Sequence, residues 1–294
     1  MKTKRKKDIQ LFYVILFCVL ALYALFFVVM FAWGFISSFK DQMEFMYNAV
    51  GLPDVWHFKN YSFVLFNFVG EVTTSEGVTR VGFLQMYGNS FLYCTGCAFL
   101  CTFVPCVVAY LAAKYNFAFS KVLYGIVIIT MSLPLVNSTA ASLKLAKNLG
   151  LYNHIWGMWL MSANFLGGVY FLLFFETFKA LPMSYKEAAE IDGASQLGIL
   201  FRIMLPIVAN TFFTIFLLNF VARWNDYQTP LLFLPKMPTI SYGLWYFSFM
   251  TVNELTPPPM KLTAAFLVCI PILILFTIFS KRLMSNLTAG GIKG

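Results

Sequence analysis

The stretch that decides the fold spans residues 181–206 and reads LPMSYKEAAEIDGASQLGILFRIMLP, between two long apolar segments. Its pattern predicts a short helix, a turn and a second helix. Ser184 and Glu187 have the S-x-x-E spacing of a capping box, which predicts that the first helix begins directly after the serine. Gly193 is placed to end this helix in the left-handed conformation, and Ser195 to cap the next helix. The segment is either a docking element for another protein or an amphipathic connector at the lipid headgroups.

The composition outside this segment predicts a membrane protein. Hydrophobic residues make up 60% of the 294 positions and charged residues 11%, against about 45–50% and about 25% in soluble domains. So little charge does not cover a water-facing surface, and lipid leaves helices as the expected spanning structure. We therefore predict an all-α, polytopic membrane protein with six transmembrane helices. The six apolar stretches are residues 9–36, 87–113, 119–143, 154–178, 207–232 and 261–281.

The distribution of Lys and Arg predicts how these spans are oriented. With the N-terminus inside, the cytoplasmic pieces carry thirteen of the 21 basic residues and the outer pieces seven, while Arg223 lies within a span. Both termini are therefore predicted to face the cytoplasm. Because the net charge of +9 follows this asymmetry, we expect it to orient the chain rather than to bind nucleic acid. The first apolar stretch is too long for a cleaved signal and predicts an uncleaved span.

Residue types that carry out catalysis or bind metals are scarce. All six cysteines fall in apolar runs, including Cys94 and Cys97, which have CxxC spacing. Their neighbours are apolar, so we expect small buried side chains rather than a metal or redox site. The chain has no G-x-x-x-x-G-K-[ST] phosphate loop, and its two histidines, His57 and His154, lie in or near predicted outer loops. We expect no enzyme activity, metal or cofactor in this chain.

Several motifs together resemble one protein family. Glu187-Ala188-Ala189, followed by Gly193 and then by Ile203-x-Leu205-Pro206, is similar to the EAA loop of ABC-importer permeases. The extended form from Glu187 to Ser195 resembles the carbohydrate-uptake class, in particular the shorter permease subunit of maltose-type importers. Three more stretches resemble this class and occur in the same order along the chain as in the class. Together with the loop, the resemblance covers roughly residues 87–294. They are 148–157, with Asn148-Leu-Gly-Leu-Tyr-Asn153 and Trp156-Gly157, 224–231, with Trp224-Asn-Asp-Tyr, and the C-terminal 287–294.

The resemblance implies a type I ABC-importer permease fold with a defined domain organisation. Residues 1–36 would form the basic cytoplasmic N-terminus and the first span, and residues 37–86 an extracytoplasmic segment. Residues 87–282 would form a five-helix core with its coupling loop at 180–206, and residues 283–294 a cytoplasmic tail. Two features depart from the pattern of this family. The outer segment is longer than the family predicts, and the stretch Ser138-Thr-Ala-Ala141 in the third span is atypical of the family.

The resemblance also implies function and partners. This chain would be half of the pore of an ATP-driven importer in the bacterial inner membrane. The other components would be a second permease, two ATPase subunits that bind ATP and Mg, and an external solute-binding protein. The solute would be a sugar, with an oligosaccharide first and a polyol or glycerol-phosphate compound as the alternative. An ion-driven secondary transporter is the remaining alternative, although the spans contain almost no acidic residues.

Residue roles carried over from the family centre on the loop. Ala188 and Ala189 would let the loop approach the ATPase closely, Glu187 would cap its own helix and pair with the ATPase, and Gly193 would set the angle between the two helices. Changing Gly193 to Asp or Ala189 to Glu is therefore expected to abolish transport without preventing insertion. The full set of coupling candidates is Glu187, Ala188, Ala189, Asp192, Gly193, Ile203, Leu205 and Pro206.

Polar residues inside spans are the candidates for contact with the solute. Arg223 and Asp226 are three residues apart and either pair with each other or face the pathway or the binding protein. The asparagines either bond hydroxyls in the pore or bond neighbouring helices. Trp224 is also one of four tryptophans predicted to form an aromatic belt at the outer interface. The pore candidates are Asn137, Asn164, Asn219, Arg223, Trp224 and Asp226.

Overall fold

The fold is described from a computed structural model. Its described residues are 2–74, 77–115, 118–132, 138–164, 166–249 and 257–289. In these residues the regular structure is helical apart from one two-stranded hairpin. The predicted helical architecture is therefore confirmed, with the hairpin as an exception. The chain divides into two compact units, one of residues 1–68 and 246–268 and the other of residues 69–245 and 269–294.

The first unit contains the first span and an ordered segment after it. Its helices are α1 (Lys2–Ser37), α2 (Gln42–Tyr47) and α3 (Lys59–Asn67). Between α1 and α2 the ammonium of Lys40 is fully buried and donates to the carbonyls of Asn48 and Gly51, the latter at 2.6 Å. Asn60 donates to the carbonyls of Ser38 and Lys40, both at 2.9 Å. These bonds to main-chain oxygens hold the segment that follows the first span in one conformation.

The second unit begins with the hairpin. Strands β1 (Val69–Thr74) and β2 (Gly77–Gly82) pair antiparallel, with Val69 opposite Gly82 and Thr74 opposite Gly77. The sequence Thr73-Thr-Ser-Glu-Gly77 predicts a turn here, and the strands end and begin within it. Gly77 has a φ of +125°, which explains why a glycine starts the return strand.

The long helix α4 (Phe83–Lys114) is the centre of this second unit and packs against α7, α8 and α12. The other elements of this unit follow in chain order. They are α5 (Ala118–Ser132), α6 (Ser138–Asn148), α7 (Ile155–Met161), α8 (Val169–Ala180), α9 (Ser184–Ile191), α10 (Gln196–Gly198), a π-helical segment (Ile199–Met204), α11 (Leu205–Ile207), α12 (Ala209–Asn225) and α13 (Gln228–Phe233). Two further helices, α14 (Ile240–Phe249) and α15 (Pro258–Ala289), have residues in both units.

Three helices of the described residues are long and apolar enough to cross a membrane. They are Phe12–Ser37, Phe83–Lys114 and Pro258–Ser280. A fourth span results if Gln196–Ile207 and Ala209–Asn225, which meet at an angle of 78°, are taken together. The number of six spans stays a prediction. From Phe12 to Phe31 the side chains of the first span are nearly all exposed, so lipid or another subunit must cover them.

Two predictions about the spans are wrong in detail. The predicted fourth span, 154–178, is broken between α7 and α8 rather than continuous. The prolines of residues 233–260, the outer loop between the predicted fifth and sixth spans, predict rigid extended backbone, but this stretch contains helix α14. The predicted third span covers α5 and part of α6, and residues 133–137 between these helices lie outside the described residues. The predicted fifth span ends as a helix at Asn225, before α13 begins.

Backbone conformation and one close contact with α4 account for the break in the fourth span. Gly167 and Gly168 have φ values of +57° and +52°, a left-handed conformation that an α-helix does not accommodate. A Cβ on Gly167 would lie 2.4 Å from the Cβ of Pro105 in α4, so the glycine also permits a close approach. The side-chain oxygen of Asn164 accepts from the Leu166 amide at 3.1 Å, which favours a turn in place of the helix.

The hydrophobic core of the second unit connects the spanning helices with residues 181–206. Tyr110 of α4, Phe178 of α8 and Ala189 of α9 belong to one buried cluster, together with Ile199 and Met204 of the π-helical segment. Because one cluster holds all of these elements, the polar segment is packed onto the helices and is not a free loop.

Candidate functional site

The segment 181–206, called the coupling segment below, forms the predicted helix–turn–helix. Gly193 has a φ of +75°, and its amide donates to the Glu190 carbonyl at 3.1 Å. The Ala194 amide donates to the Ala189 carbonyl at 2.9 Å, so the two bonds form a Schellman motif around the left-handed glycine. The hydroxyl of Ser195 accepts from the Gly198 amide at 3.2 Å. The predicted roles of the glycine and of this serine in the backbone are confirmed.

The predicted capping box is wrong. Helix α9 begins at Ser184 itself, and Met183 occupies the N-cap position without a side-chain cap bond. The Glu187 amide bonds to the Met183 carbonyl at 3.1 Å, so the backbone satisfies the donor that the serine was expected to satisfy. The carboxylate of Glu187 is exposed and therefore available for contacts outside the chain.

The two alanines of the motif face opposite ways. Ala188 is exposed, whereas Ala189 is 5% exposed and lies in the core cluster with Tyr110 and Phe178. The expectation that both alanines approach a partner is therefore wrong for Ala189, because its methyl group packs against this chain's own helices. Replacing Ala189 with Glu would bury an unpaired charge and would test folding rather than docking.

The exposed residues of the coupling segment, called its outward face below, include two large apolar side chains and two carboxylates. Ile191 is 86% exposed and Leu197 is 69% exposed, both large values for apolar side chains. Glu187, Ala188 and Asp192 are exposed as well. Exposed apolar side chains next to carboxylates are typical of a surface that another protein covers. The remaining predicted residues lie behind this face: Ile203 and Leu205 are half-buried against the core cluster, and Pro206 is exposed.

The residues that attach the coupling segment to α4 have no structural role in the predictions from sequence, in which its two lysines count only as basic charges. Lys114, the last residue of α4, donates from its ammonium to the Leu181 carbonyl at 2.6 Å. Lys186 is largely buried, and its ammonium lies 3.4 Å from the Lys114 carbonyl. At the same junction, the hydroxyl of Tyr115 donates to the side-chain oxygen of Gln196. No motif marks these residues, since their contacts connect positions 67 to 81 residues apart.

Arg223 and Asp226 are brought together near the C-terminal end of α12. The guanidinium of Arg223 lies 4.0 Å from the Asp226 carboxylate, and the side chains are 30% and 24% exposed. Asp226 also accepts from the Thr229 amide at 3.0 Å, at the start of α13. The structure thus shows the pairing alternative. The Asp226 carboxylate pairs with Arg223 and also accepts a hydrogen bond from the first turn of α13.

Trp224, between these two residues, is 1% exposed. Its ring packs edge-on against Tyr87, with centroids 5.6 Å apart, and stacks on Phe220 at 5.7 Å. This position does not suit the predicted aromatic belt, because a belt residue lies at the surface. The ring fills space within the second unit.

The three candidate asparagines differ in position. Asn219 is 6% exposed and donates to the Thr102 hydroxyl of α4 at 3.2 Å, which joins two helices. Asn164 is exposed and makes the turn that breaks the fourth span. Asn137 lies outside the described residues. Among the cysteines, Cys94 and Cys97 are buried and free, on the face of α4 that packs inward.

Comparison with known proteins decides the family. The family model described as the inner membrane component of binding-protein-dependent transport systems matches residues 106–290. This chain belongs to that family. The matched range contains the coupling segment, Arg223 and Asp226. Helix α1, the outer segment and most of α4 precede it.

Individual relatives of this inner membrane component are similar over most of its length. The maltodextrin transport system permease protein of Bacillus subtilis is 30% identical over 217 residues, 72% of this chain and 76% of the relative. The arabinooligosaccharides transport system permease protein of the same organism is 27% identical and covers 88% of each chain. The sulfoquinovosyl glycerol transport system permease protein of Agrobacterium fabrum is 29% identical, covering 70% and 72%.

A solved structure shows the same fold. A chain of a bacterial ABC transporter involved in the import of the acidic polysaccharide alginate matches with a TM-score of 0.72 at 25% identity, covering 92% of this chain and 96% of that chain. The inner membrane component therefore has the permease fold of ABC importers and is a multi-pass, non-catalytic transport subunit. Such a subunit works with ATPase subunits, a solute-binding protein and a second permease. Family membership argues against the ion-driven alternative.

Proposed function

We propose that this chain is a sugar permease of an ABC importer, forms half of the pathway for an oligosaccharide, and receives the ATPase movement through its coupling segment. The observation that carries the proposal is the outward face of that segment, displayed by a left-handed turn at Gly193 within a chain of this family. The relatives named for maltodextrin and arabinooligosaccharides support an oligosaccharide. The relative named for sulfoquinovosyl glycerol supports the alternative of a glycerol-containing solute.

The coupling segment is proposed to insert into a cleft of the ATPase. Ile191 and Leu197 would enter an apolar pocket, Ala188 would permit close approach, and Glu187 and Asp192 would meet basic groups at the rim. ATP binding would close two ATPase subunits, draw the coupling segments of the two permeases together and turn the pathway from inward-facing to outward-facing. ATP and Mg would be held by the ATPase alone.

The side of the membrane follows from this proposal. ATP is cytoplasmic, so the coupling segment must face the cytoplasm, as the Lys and Arg asymmetry predicts for this loop. The same asymmetry places both termini in the cytoplasm and the segment 37–86 outside. Of the solute candidates, Asn164 is exposed, and Arg223 and Asp226 are partly exposed although they pair with each other, so these three remain the proposed pathway residues.

Uptake by the assembled complex tests the transport proposal. The chain, its partner permease, its ATPase and its binding protein would be reconstituted in liposomes with labelled maltotetraose, arabinotriose or glycerol 3-phosphate. We expect ATP-dependent uptake of one of the oligosaccharides. Uptake that needs no ATP, or uptake of glycerol 3-phosphate alone, would reject the oligosaccharide importer.

A substitution on the outward face tests docking. Ala188→Glu adds bulk and charge at an exposed position, and we expect it to remove the ATPase from the purified complex. Ala188→Ser, which keeps a small side chain, is the matched control and should retain the ATPase. Retention of the ATPase by Ala188→Glu would contradict docking through this face.

A further inference from the structure

Four side chains form a closed ring where the coupling segment meets the end of α4. The Lys186 ammonium lies 3.6 Å from the Glu190 carboxylate, which accepts from the Gln196 side-chain amide at 3.0 Å. The Gln196 oxygen accepts a hydrogen bond from the Tyr115 hydroxyl. The Tyr115 ring then returns to Lys186, whose ammonium lies 3.8 Å from the ring centroid. This ring, called the clasp below, connects α9, the start of α10 and the residue that follows α4.

Helix α9 is attached to the rest of the unit largely through Lys186, a member of the clasp. In this eight-residue helix only Lys186 and Ala189 are buried. The methyl group of Ala189 removes little apolar surface from water, so apolar packing alone holds the helix weakly. Lys186, by contrast, buries a long side chain against the Tyr115 ring and brings its charge to the Glu190 carboxylate. The orientation of α9 therefore depends on a polar contact.

The electrostatics of this junction also require the ring to be complete. The Lys186 side chain is 11% exposed, and the Lys114 ammonium is close enough for the two positive charges to repel each other. A buried ammonium that loses its carboxylate is costly, especially beside a second ammonium. The hydrogen bond from Gln196, and then the charge of Lys186, lower the pKa of the Glu190 carboxyl, so it is charged at neutral pH. Glu190 thus supplies the charge that lets Lys186 be buried.

The clasp also spans the turn at Gly193. Glu190 precedes this glycine and Gln196 follows it, and a bond between their side chains closes the turn from outside. Gln196 is bonded directly to Tyr115 at the end of α4, and Glu190 is linked to the same tyrosine through Lys186. A helix–turn–helix fixed on both arms moves with α4, whereas one fixed on a single arm bends at the glycine.

We propose that Lys186, Glu190, Gln196 and Tyr115 are positioning residues that lock the coupling segment to α4, so that a displacement of the segment is transmitted to the central helix. This inference rests on the proposed coupling function. None of the four side chains is required to contact the ATPase or the solute. Loss of the clasp should therefore uncouple ATP hydrolysis from transport rather than prevent assembly.

A distance measurement tests the clasp without any solute. Nitroxide labels at exposed Leu111 of α4 and Ser184 of α9, in an alanine-for-cysteine background, would report their separation in the assembled complex in nanodiscs. We expect one narrow distance in the parent and in Lys186→Arg, and a distribution roughly twofold wider in Lys186→Met. Lys179→Met is the matched control, since Lys179 pairs with Glu176 at 3.9 Å but is 63% exposed. An unchanged width in Lys186→Met would overturn the proposal.

The functional readout is the amount of oligosaccharide transported per ATP hydrolysed. We expect Lys186→Met to lower this ratio about tenfold, within the usual range of coupling effects, while the ATPase still co-purifies. Tyr115→Phe with Gln196→Leu is the second variant, because it removes only the link across the turn and keeps the ring beneath Lys186. A normal ratio in both variants would overturn the proposal.

The two proposals fail in different ways. If Ala188→Glu leaves the ATPase bound, docking through the outward face is wrong whatever the label distances show. If Ala188→Glu releases the ATPase but Lys186→Met leaves the distance and the ratio unchanged, docking stands and the clasp is wrong.

Discussion

The indole of Trp159 in α7 lies directly against Gly96 in α4. A Cβ on Gly96 would come within 2.2 Å of the indole nitrogen, closer than any real contact. That nitrogen donates to the carbonyl of Leu92, one turn earlier on α4, at 3.0 Å. The absence of a side chain at Gly96 therefore permits a hydrogen bond between the indole and the backbone of the neighbouring helix.

Gly96→Ala should destabilise the chain through this contact. The added methyl group must displace the Trp159 ring, and overpacking of this kind costs about 1–3 kcal/mol. We expect a lower Tm for the variant in detergent, measured by intrinsic fluorescence. Gly88→Ala is the matched control on the same helix, because nothing lies within 4 Å of a Cβ there and alanine favours a helix. Equal Tm values for the two variants would contradict the close approach.

Asn219→Leu should lower stability without changing solute affinity. The Asn219 amide donates to the Thr102 hydroxyl between α4 and α12, and a hydrogen bond between membrane helices contributes about 1 kcal/mol. We expect a lower Tm together with an unchanged KM for uptake. Asn210→Leu, at an exposed position of α12, is the control and should change neither. A raised KM for Asn219→Leu would assign this residue to the solute pathway instead.

The local part of the coupling segment was predictable from sequence. A left-handed glycine and a capping serine act through backbone bonds only a few residues away, so Gly193 and Ser195 could be assigned from their positions. The face of each alanine was not predictable, because it depends on where α4 and α8 lie. Lys186 was counted only as a basic charge, since its partner Tyr115 is distant in sequence.

The spans show the same division between local and distant causes. Helix α4 and the first span follow from unbroken apolar stretches, and both were predicted within a few residues of their observed membrane-spanning ends. The break at Gly167 and Gly168 was missed, because two glycines in an apolar stretch are compatible with a membrane helix. The close approach of Gly167 to Pro105 is a tertiary contact that the local pattern does not contain.

Asp226→Leu should cost more stability than Asp226→Asn. The Asp226 side chain both pairs with Arg223 and accepts from the Thr229 amide. Asparagine loses the charge but keeps an oxygen for that amide, whereas leucine loses both. The difference should be about 1 kcal/mol, the usual value of a helix cap. Thermal unfolding of the two variants and of Arg223→Met checks this. Equal Tm values for the Asn and Leu variants would show that the capping bond contributes nothing.

Substitutions at Gly193 separate the conformation of the turn from its charge. The φ of +75° is unfavourable for most residues, and nothing lies within 4 Å of a Cβ at this position, so a substitution there mainly changes backbone energy. Gly193→Val should cost about 1–2 kcal/mol at the turn and lower the uptake rate. Gly193→Asn tolerates the left-handed region and should transport nearly as well as the parent.

Gly193→Asp has almost the same shape as Asn but adds a charge beside exposed Asp192, on the face proposed to dock. We therefore expect transport to be lost in Asp and kept in Asn, with equal amounts of both proteins in the membrane. Equal transport by the Asn and Asp variants would show that charge at the turn does not matter for docking. Normal transport by the Val variant would show that the left-handed turn is not needed.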